Sequence, residues 1–414
     1  MKILIISTNY HPELIGSGKY NAEMAEWLAA RGHEVDVITA MPHYPAWQID
    51  EAYANKNWHV EDIKGVKVYR SPIWLRKSAD QRLSTKMRIL LETSFNATAS
   101  YWVLKLSHKP YDVIFAVCPP LQMALWPYLY RLFKGTPWFF HVQDLQLDAA
   151  TALGMFPDVL AKGLYGVERF FFKRATWVST ITGSMQAKLR AKGVKEAQQW
   201  LLANWADTNF IRPLDRLNPL REALGFSPED IIILYSGNMG EKQGLEQVIE
   251  AARLLKGEKR LKFLLVGQGA VRGRLEQLTQ TYHLQNITFH DLLPWEKMPQ
   301  LLALGDIHLV VQKSQAADLV MPSKLTNILA AGRASIITAE AGTQLYQLCQ
   351  TYPFAKVIAP EGDLAGAIQN LAQASPLRER MAKTARHYAE NFLAKDAILG
   401  EFEKKLLQIL PKYA

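Results

Sequence analysis

Lys324 sits in the stretch MPSKLTNILAAGRASI (321–336), where Pro322 and Ser323 precede it at the start of a helix-like run and Gly332 ends that run. A first helical turn leaves backbone N–H groups unpaired, so a lysine placed there makes a ready site for an anion. Proline suits such a start because it forgoes only an N–H that the turn would leave unpaired. A second stretch, YSGNMGEKQGLEQVIEAARLL (235–255), ends a strand at Ser236 and carries Gly237, Asn238, Gly240, Gln243 and Gly244 into an amphipathic helix, with Lys242 in reach of a diphosphate. LVGQGAVRGRLEQL (265–278) repeats the strand, glycine loop and helix with Gly267 and Gly269. One such loop is weak; two, with the Lys324 stretch, point to a phosphate-bearing ligand.

The first half has its own candidates. NYHPELIGSGKYNAEMAEWL places Gly16, Ser17 and Gly18 between a strand and a helix, where both a plain tight turn and a sugar or phosphate loop fit. The spacing is not G-x-G-x-x-G and no acidic ribose ligand follows at the right distance, which disfavours NAD. PWFFHVQDLQLDAA puts His141, Gln143 and Asp144 just past a strand. Asp144 fits equally as a helix cap and as a polar group touching a reacting sugar. His141 alternates with Gln143 and reads as structural. The sequence has no G-x-S-x-G elbow, no H-E-x-x-H, no cysteine pair and no Walker lysine, so serine hydrolysis, a catalytic metal and phosphoryl transfer from ATP are not expected.

These residues need strands and helices to hold them. The chain has 414 residues, 49% hydrophobic and 21% charged, which implies more than one core. KILIIS, HEVDVITA, YDVIFAV, PWFFHVQD and ATWVSTIT are short apolar runs separated by helical patterns, and the rhythm restarts with DIIILYSG, LKFLLVGQG, ITFHDLL, DIHLVVQ, ASIITAE and AKVIAP. Strands that are apolar throughout, alternating with helices, predict parallel sheets covered on both faces. The expected fold is α/β, with two doubly wound Rossmann-like domains facing across a cleft. The predicted boundaries are 1–205 for the first domain, 206–229 for a proline-rich linker, 230–385 for the second domain, and 386–414 for a terminal helix packing back towards the first.

The opening MKILIIS is too short for a signal peptide and reads as a strand, and no run reaches the length of a spanning helix. Two cysteines, Cys118 and Cys349, give neither a disulfide framework nor a zinc cluster and fit a reducing compartment. A formal charge of +9 calls for anionic partners. Residues 61–110 hold ten bases against four acids, interleaved with Trp74, Leu75, Leu83, Met87, Ile89, Leu90 and Leu91. Arg76, Lys77, Arg82, Lys86 and Arg88 are therefore candidates for an anionic membrane surface, against the plainer reading of a solvated helix face. Without any recognition motif, nucleic acid is not an expected partner.

Taken together, these motifs resemble the GT-B glycosyltransferases of family 4 over nearly the whole chain, and MPHYPAW with HVQDLQLDAA looks closest to the subgroup of colanic acid fucosyltransferases and O-antigen N-acetylfucosamine transferases. The resemblance implies a retaining hexosyltransferase that needs no metal or other cofactor. Its co-substrate would be a GDP- or UDP-linked sugar held mainly by the second domain, and its acceptor a lipid-linked saccharide met by the first. It implies that Lys324, Lys242 and Asp144 do the catalytic work, that Asn327 meets the ribose, and that backbone groups near Leu292 and Leu293 read the base. The sequence departs from the family at Asn238 and Gln243, where arginine and lysine are common, at Leu319 and Asn327, where two glutamates are usual, and at Gln143, which replaces the histidine of a His-Asp pair. Sugar contact would then pass to the backbone from Pro322 through Ser323 to Leu325, or to Asp318.

The expected function is transfer of a sugar, with a six-deoxy sugar compatible, onto a polyprenyl-diphosphate-linked glycan of an exopolysaccharide or O-antigen at the cytoplasmic membrane face. Two alternatives are a non-catalytic sugar- or lipid-binding partner of an assembly complex and a nucleotide-sugar 2-epimerase of the same architecture.

Overall fold

The structure is a computed structural model, and it describes all residues except 14–15, 45, 76–84, 153–156, 315–321 and 411–414. The chain divides into two compact units: Met1–Ala203 with Leu399–Ala414, and Asn204–Ile398. Residues 206–229, expected as a linker, fall within the second unit, where Arg221 is fully buried and donates to the carbonyls of Ser227, Asp230 and Leu304.

In the first unit an eight-stranded sheet is built from β1 (Lys2–Ile6), β2 (Glu34–Ala40), β3 (His59–Ile63), β4 (Val66–Ser71), β5 (Val113–Cys118), β6 (Trp138–Val142), β7 (Trp177–Thr180) and β8 (Gln199–Leu201). Its order is β3-β4-β2-β1-β5-β6-β7-β8, parallel except for the antiparallel edge pair β3–β4. The chain order reverses between β1 and β5, so the loops leaving these two strands diverge and open a crevice at their carboxyl ends. The predicted runs VIFAVC and WFFHV are buried at every position, as strands sandwiched between helices must be.

The second unit carries β9 (Ile231–Ser236), β10 (Leu261–Val266), β11 (Ile287–His290), β12 (Ile307–Val310), β13 (Ser335–Thr338) and β14 (Ala355–Ile358) in the order β11-β10-β9-β12-β13-β14, every neighbouring pair parallel. Here the reversal lies between β9 and β12. The loop after β9 begins at Gly237, and the segment after β12 leads to the helix Ser323–Ala330, so both phosphate-binding candidates flank this switch point.

The terminal helix Lys395–Ile409 sends Phe402 against Phe115 and Phe139, with ring centroids 5.3 Å and 5.8 Å apart. One turn on, Glu403 accepts from Arg31 Nε at 2.7 Å and lies 2.7 Å from His33 Nε2, which ties the chain's end to the first unit. Among the described residues, no helix is long and apolar enough to cross a membrane.

Candidate functional site

The helix Ser323–Ala330 starts one residue later than the sequence implied. Pro322 is the capping residue, its carbonyl accepting from Leu325 N at 2.9 Å, and Ser323 is the first helical position. Proline at the cap makes no side-chain hydrogen bond to the first turn, and that turn carries no acidic residue of its own to oppose the positive end of the helix.

Lys324 reaches from that turn towards β9. Its Nζ is shut off from solvent, has no hydrogen-bond partner among the described residues, and lies 3.6 Å from the centroid of the Tyr235 ring. Burial pushes the ammonium's pKa down to about 7, because a charge out of water is disfavoured unless an opposite charge accompanies it. The aromatic face recovers part of that cost, roughly 2 kcal/mol for a desolvated cation–π pair. An anion would recover far more: at 4 Å and an effective dielectric of 20, opposite unit charges attract by about 4 kcal/mol.

The loop after β9 is shaped around this ammonium. Tyr235 is itself fully buried and donates its hydroxyl to the carbonyl of Asn238 at 2.5 Å, fixing the turn that follows. Gly237, at φ 141°, would place any added Cβ 3.1 Å from Lys324 Nζ, so a side chain there would press on the ammonium. Gly237 N donates to Val266 O at 2.9 Å, Met239 N to Gln268 O at 2.8 Å, and Gly267 N to His290 O at 3.0 Å. These bonds continue the β9-β10-β11 ladder past the strand ends. A Cβ on Gly267 would lie 2.0 Å from Gly237 O, so only glycine allows this approach. Arg272 locks the second loop by donating to Gly267 O at 2.9 Å.

The other donor-site candidates divide. Gln243 Oε1 accepts from Gly240 N at 3.1 Å, so its side chain closes the loop. Lys242 is exposed, and its carbonyl accepts from Lys313 N at 2.9 Å, joining the β9 loop to the segment after β12. Asn327 is half-buried on the helix that Lys324 opens, one turn further along. Leu292 is exposed, while the half-buried Leu293 packs against the core beneath β9 and β10. Asp318 and Leu319 lie outside the described residues.

In the first unit, Gly16 caps the helix Ser17–Ala30 at φ 58°, and a Cβ on Gly18 would lie 2.3 Å from Glu13 O. Sequence reasoning passed over Glu13, yet this buried carboxylate organises the loop. It accepts from Asn9 Nδ2 at 2.8 Å, from Tyr44 N at 2.6 Å and from His43 N. His141 lies within β6 rather than past it, and on the same side as Gln143 two residues on, so the expected alternation of the two does not hold. Its Nδ1 lies 2.9 Å from Ser179 Oγ and its Nε2 2.8 Å from Gln143 Nε2, and burial lowers its pKa to about 4. Gln143 is thereby committed to orienting His141. Asp144 is half-buried and lies two residues before the helix Gln146–Ala152, leaving Leu145 in the capping place.

The basic segment is less free than its composition implied. Arg70 is fully buried and donates to the Glu61 carboxylate and to His11 O, Lys109 pairs with Asp36 at 2.6 Å, and Lys64 with Glu26 at 2.7 Å. Arg76, Lys77 and Arg82 lie outside the described residues. On the helix Thr85–Leu106, Lys86 is exposed and Arg88 pairs with Glu92 at 3.0 Å.

Comparison with known proteins agrees with this geometry. Residues 16–205 match the family described as glycosyl transferase 4-like domain, and residues 218–388 match glycosyl transferases group 1. The chain is 42% identical over 415 residues to WcaI of Escherichia coli (strain K12), named as a glycosyl transferase of colanic acid biosynthesis, covering 97% of this chain and 98% of that one. It is 23% identical to the N-acetyl-α-D-glucosaminyl L-malate synthase of Bacillus anthracis, over 99% and 98% of the two chains. Among solved structures, sucrose-phosphate synthase from Thermosynechococcus elongatus superposes with a TM-score of 0.73 at 19% identity over 99% of both chains. Anabaena Alr3699/HepE in complex with UDP and glucose gives 0.72 at 15% identity, over 99% of this chain and all of the other. A buried lysine at a helix start, glycine loops at the switch point of a parallel sheet and both family matches converge: the chain belongs to the family 4 glycosyltransferases, with the GT-B fold.

Proposed function

We propose that the chain is a metal-independent retaining glycosyltransferase that moves a sugar from a GDP- or UDP-linked donor to a polyprenyl-diphosphate-linked glycan during exopolysaccharide or O-antigen assembly. The observation that carries this reading is Lys324: a buried ammonium with no hydrogen-bond partner among the described residues, beside an uncapped helix start and a glycine turn. A group held this way is poised for a ligand that brings negative charge. As the bond from sugar to diphosphate breaks, charge accumulates on the departing phosphate oxygen. Lys324 Nζ and the first-turn amides, with Lys242 at the rim, meet that charge without having to reorganise. Asn327 contacts the ribose, backbone groups near Leu292 and Leu293 meet the base, and Asp144 faces the acceptor side.

The names of relatives support the pathway: WcaI is named for colanic acid biosynthesis, and WaaG, a glycosyltransferase involved in lipopolysaccharide biosynthesis, superposes with a TM-score of 0.63 at 19% identity. A six-deoxy sugar fits the apolar Leu319 in the place of a sugar-binding glutamate, and turnover only with fully hydroxylated hexoses in a donor screen would discard it. The lipid of the acceptor sets the enzyme at the cytoplasmic face of a membrane.

The test is release of free nucleoside diphosphate from GDP- and UDP-sugars, with and without lipid-linked acceptor, in the presence of EDTA. Release that depends on acceptor and survives EDTA is expected. Sugar isomerisation without transfer would favour an epimerase, and neither product would leave a binding protein.

A further inference from the structure

The helix Asp158–Arg174 is packed the wrong way round for a helix in water. It buries Glu168 beside Ala161, Phe171 and Phe172, while Val159 is 84% exposed, Leu160 49%, Val167 46% and Phe170 40%. With Gly163 and Gly166 these residues fall at spacings of one, three, three, one and three, which is a single face. The inversion has a physical cause. Glu168 pairs with Lys192 Nζ, which also donates to Asp148 at 2.9 Å, so this buried ion cluster fixes which side of the helix faces inward.

A neighbouring helix, Leu125–Lys134, extends the face. Tyr128 meets the Phe170 ring at 5.3 Å and Arg131 donates to Thr176 Oγ1, setting the two helices side by side. Leu132 and Phe133 are then 58% and 81% exposed at its end. Lys134, Lys162, Arg169 and Lys173 are exposed among these apolar residues. The described side chains of the two helices contain no exposed carboxylate, since Glu168 is buried.

We propose that these two helices form the membrane-docking face of the enzyme and that its occupant is an anionic lipid bilayer. Exposed large apolar side chains ringed by bases match the interfacial boundary of such a bilayer, acyl chains below and phosphates above. A second copy of the chain fits poorly, because an isologous contact would set these bases against their own copies. The helix Thr85–Leu106, favoured by composition, is the weaker candidate. Its outward row passes from Lys86 and Ile89 through Thr93 and Ala97 to Tyr101, 44% exposed, and Leu104, 70% exposed, so Thr93 and Ala97 interrupt its apolar side chains, and Arg88 is already paired with Glu92. The inference rests on the lipid-linked acceptor proposed above and gives that reading a surface.

The full-length chain would be sedimented with vesicles of phosphatidylcholine alone or mixed with phosphatidylglycerol. The variants are Phe133→Ser with Val159→Ser and Phe170→Ser, Arg169→Glu with Lys173→Glu, and a control in which Arg76, Lys77, Arg82, Lys86 and Arg88 become Gln. Wild type should partition to the anionic vesicles. The serine triple should lose more than about tenfold, the charge reversal about fivefold per residue, and the control should match wild type. If the serine triple melts lower than wild type, the charge-reversed pair, whose side chains are both exposed, carries the test. Wild-type binding by both face variants, absence of vesicle binding by wild type, or a dimer that the face variants dissociate without altering vesicle binding would overturn the proposal. Nucleoside diphosphate release on detergent-dispersed acceptor is measured separately. Lost release with the predicted vesicle pattern would sink the transfer reading and still support the face.

Discussion

The carboxyl ends of the two sheets are built from the same parts and left in opposite electrostatic states. In the first unit the buried carboxylate past β1 and the buried imidazole at the end of β6 are held from within: Glu13 holds Asn9, His43 and Tyr44, and His141 is held between Ser179 and Gln143, while the Thr8 and Tyr10 hydroxyls past β1, without a partner among the described residues, carry no charge. In the second unit the Lys324 ammonium is buried with no hydrogen-bond partner among the described residues, 3.6 Å from the centroid of the Tyr235 ring. A self-satisfied loop is a finished scaffold, and its job is shape. An unsatisfied buried charge is costly to keep, and a bound anion is the natural compensation.

That contrast can be broken at either end. The largest effect is expected from Lys324→Ala, which should lower kcat/KM for the nucleotide sugar by roughly a hundred- to a thousand-fold, on the order of 3 kcal/mol, with an unchanged melting profile. Lys324→Arg should not rescue it, since the bulkier guanidinium would press on the Gly237 turn that closes around the ammonium. Gly267→Ala should cost on the order of 3 kcal/mol of stability, read by urea unfolding, because its methyl group would collide with Gly237 O.

In the first unit Glu13→Gln should cost about 2 kcal/mol, the loss of charge-assisted bonds to buried amides, while leaving nucleoside diphosphate affinity as it was. A large loss of nucleotide affinity in that variant would blur the distinction between the two loops.

Acid should act on both units through buried imidazoles. His141 in the first has a pKa near 4 and His308 in the second near 3, each lowered chiefly by burial below the ordinary 6.5. The unfolded chain takes up these protons from about pH 6.5 downward and the folded chain does not. The stability they confer is therefore complete above pH 6.5 and falls as pH drops towards 4, by about 1.4 kcal/mol per unit for each. Unfolding midpoints at several pH values should show this slope, and His141→Gln should flatten it. The smallest effect is expected at Lys242, whose side chain is exposed: Lys242→Ala should change kcat/KM by less than about fivefold.

Strand rhythm, glycine loops and the Lys324 stretch were legible in the sequence because each is a local pattern tied to one element. The edge hairpin β3–β4 was not. Its residues HVEDI and VKVYRS mix charge with apolar positions, and its turn is made by Lys64 and Gly65, both at positive φ. These bases were counted as surface charge, while the fold buries Arg70 against Glu61 and pairs Lys64 with Glu26. Tyr235 was also passed over, since nothing in a strand's own pattern says that its ring will lie under a lysine from a distant helix. Partners separated by many residues in the chain are set by the sheet order, which composition does not encode. The exposed stripe from Val159 to Phe170 was hidden for a related reason: Lys192, far along the chain, decides which face of that helix turns inward.

The most direct measurement is the affinity of UDP and GDP by calorimetry across pH, for wild type and for Lys324→Met. Burial lowers the free lysine's pKa to about 7, so above that pH the empty site is neutral and must take up a proton to hold a diphosphate. Wild-type affinity should therefore weaken by up to about tenfold per pH unit above 7, with proton uptake on binding, while the methionine variant binds weakly and without that dependence. Equal affinity and the same pH profile in the variant would contradict the assignment of Lys324 to the donor diphosphate.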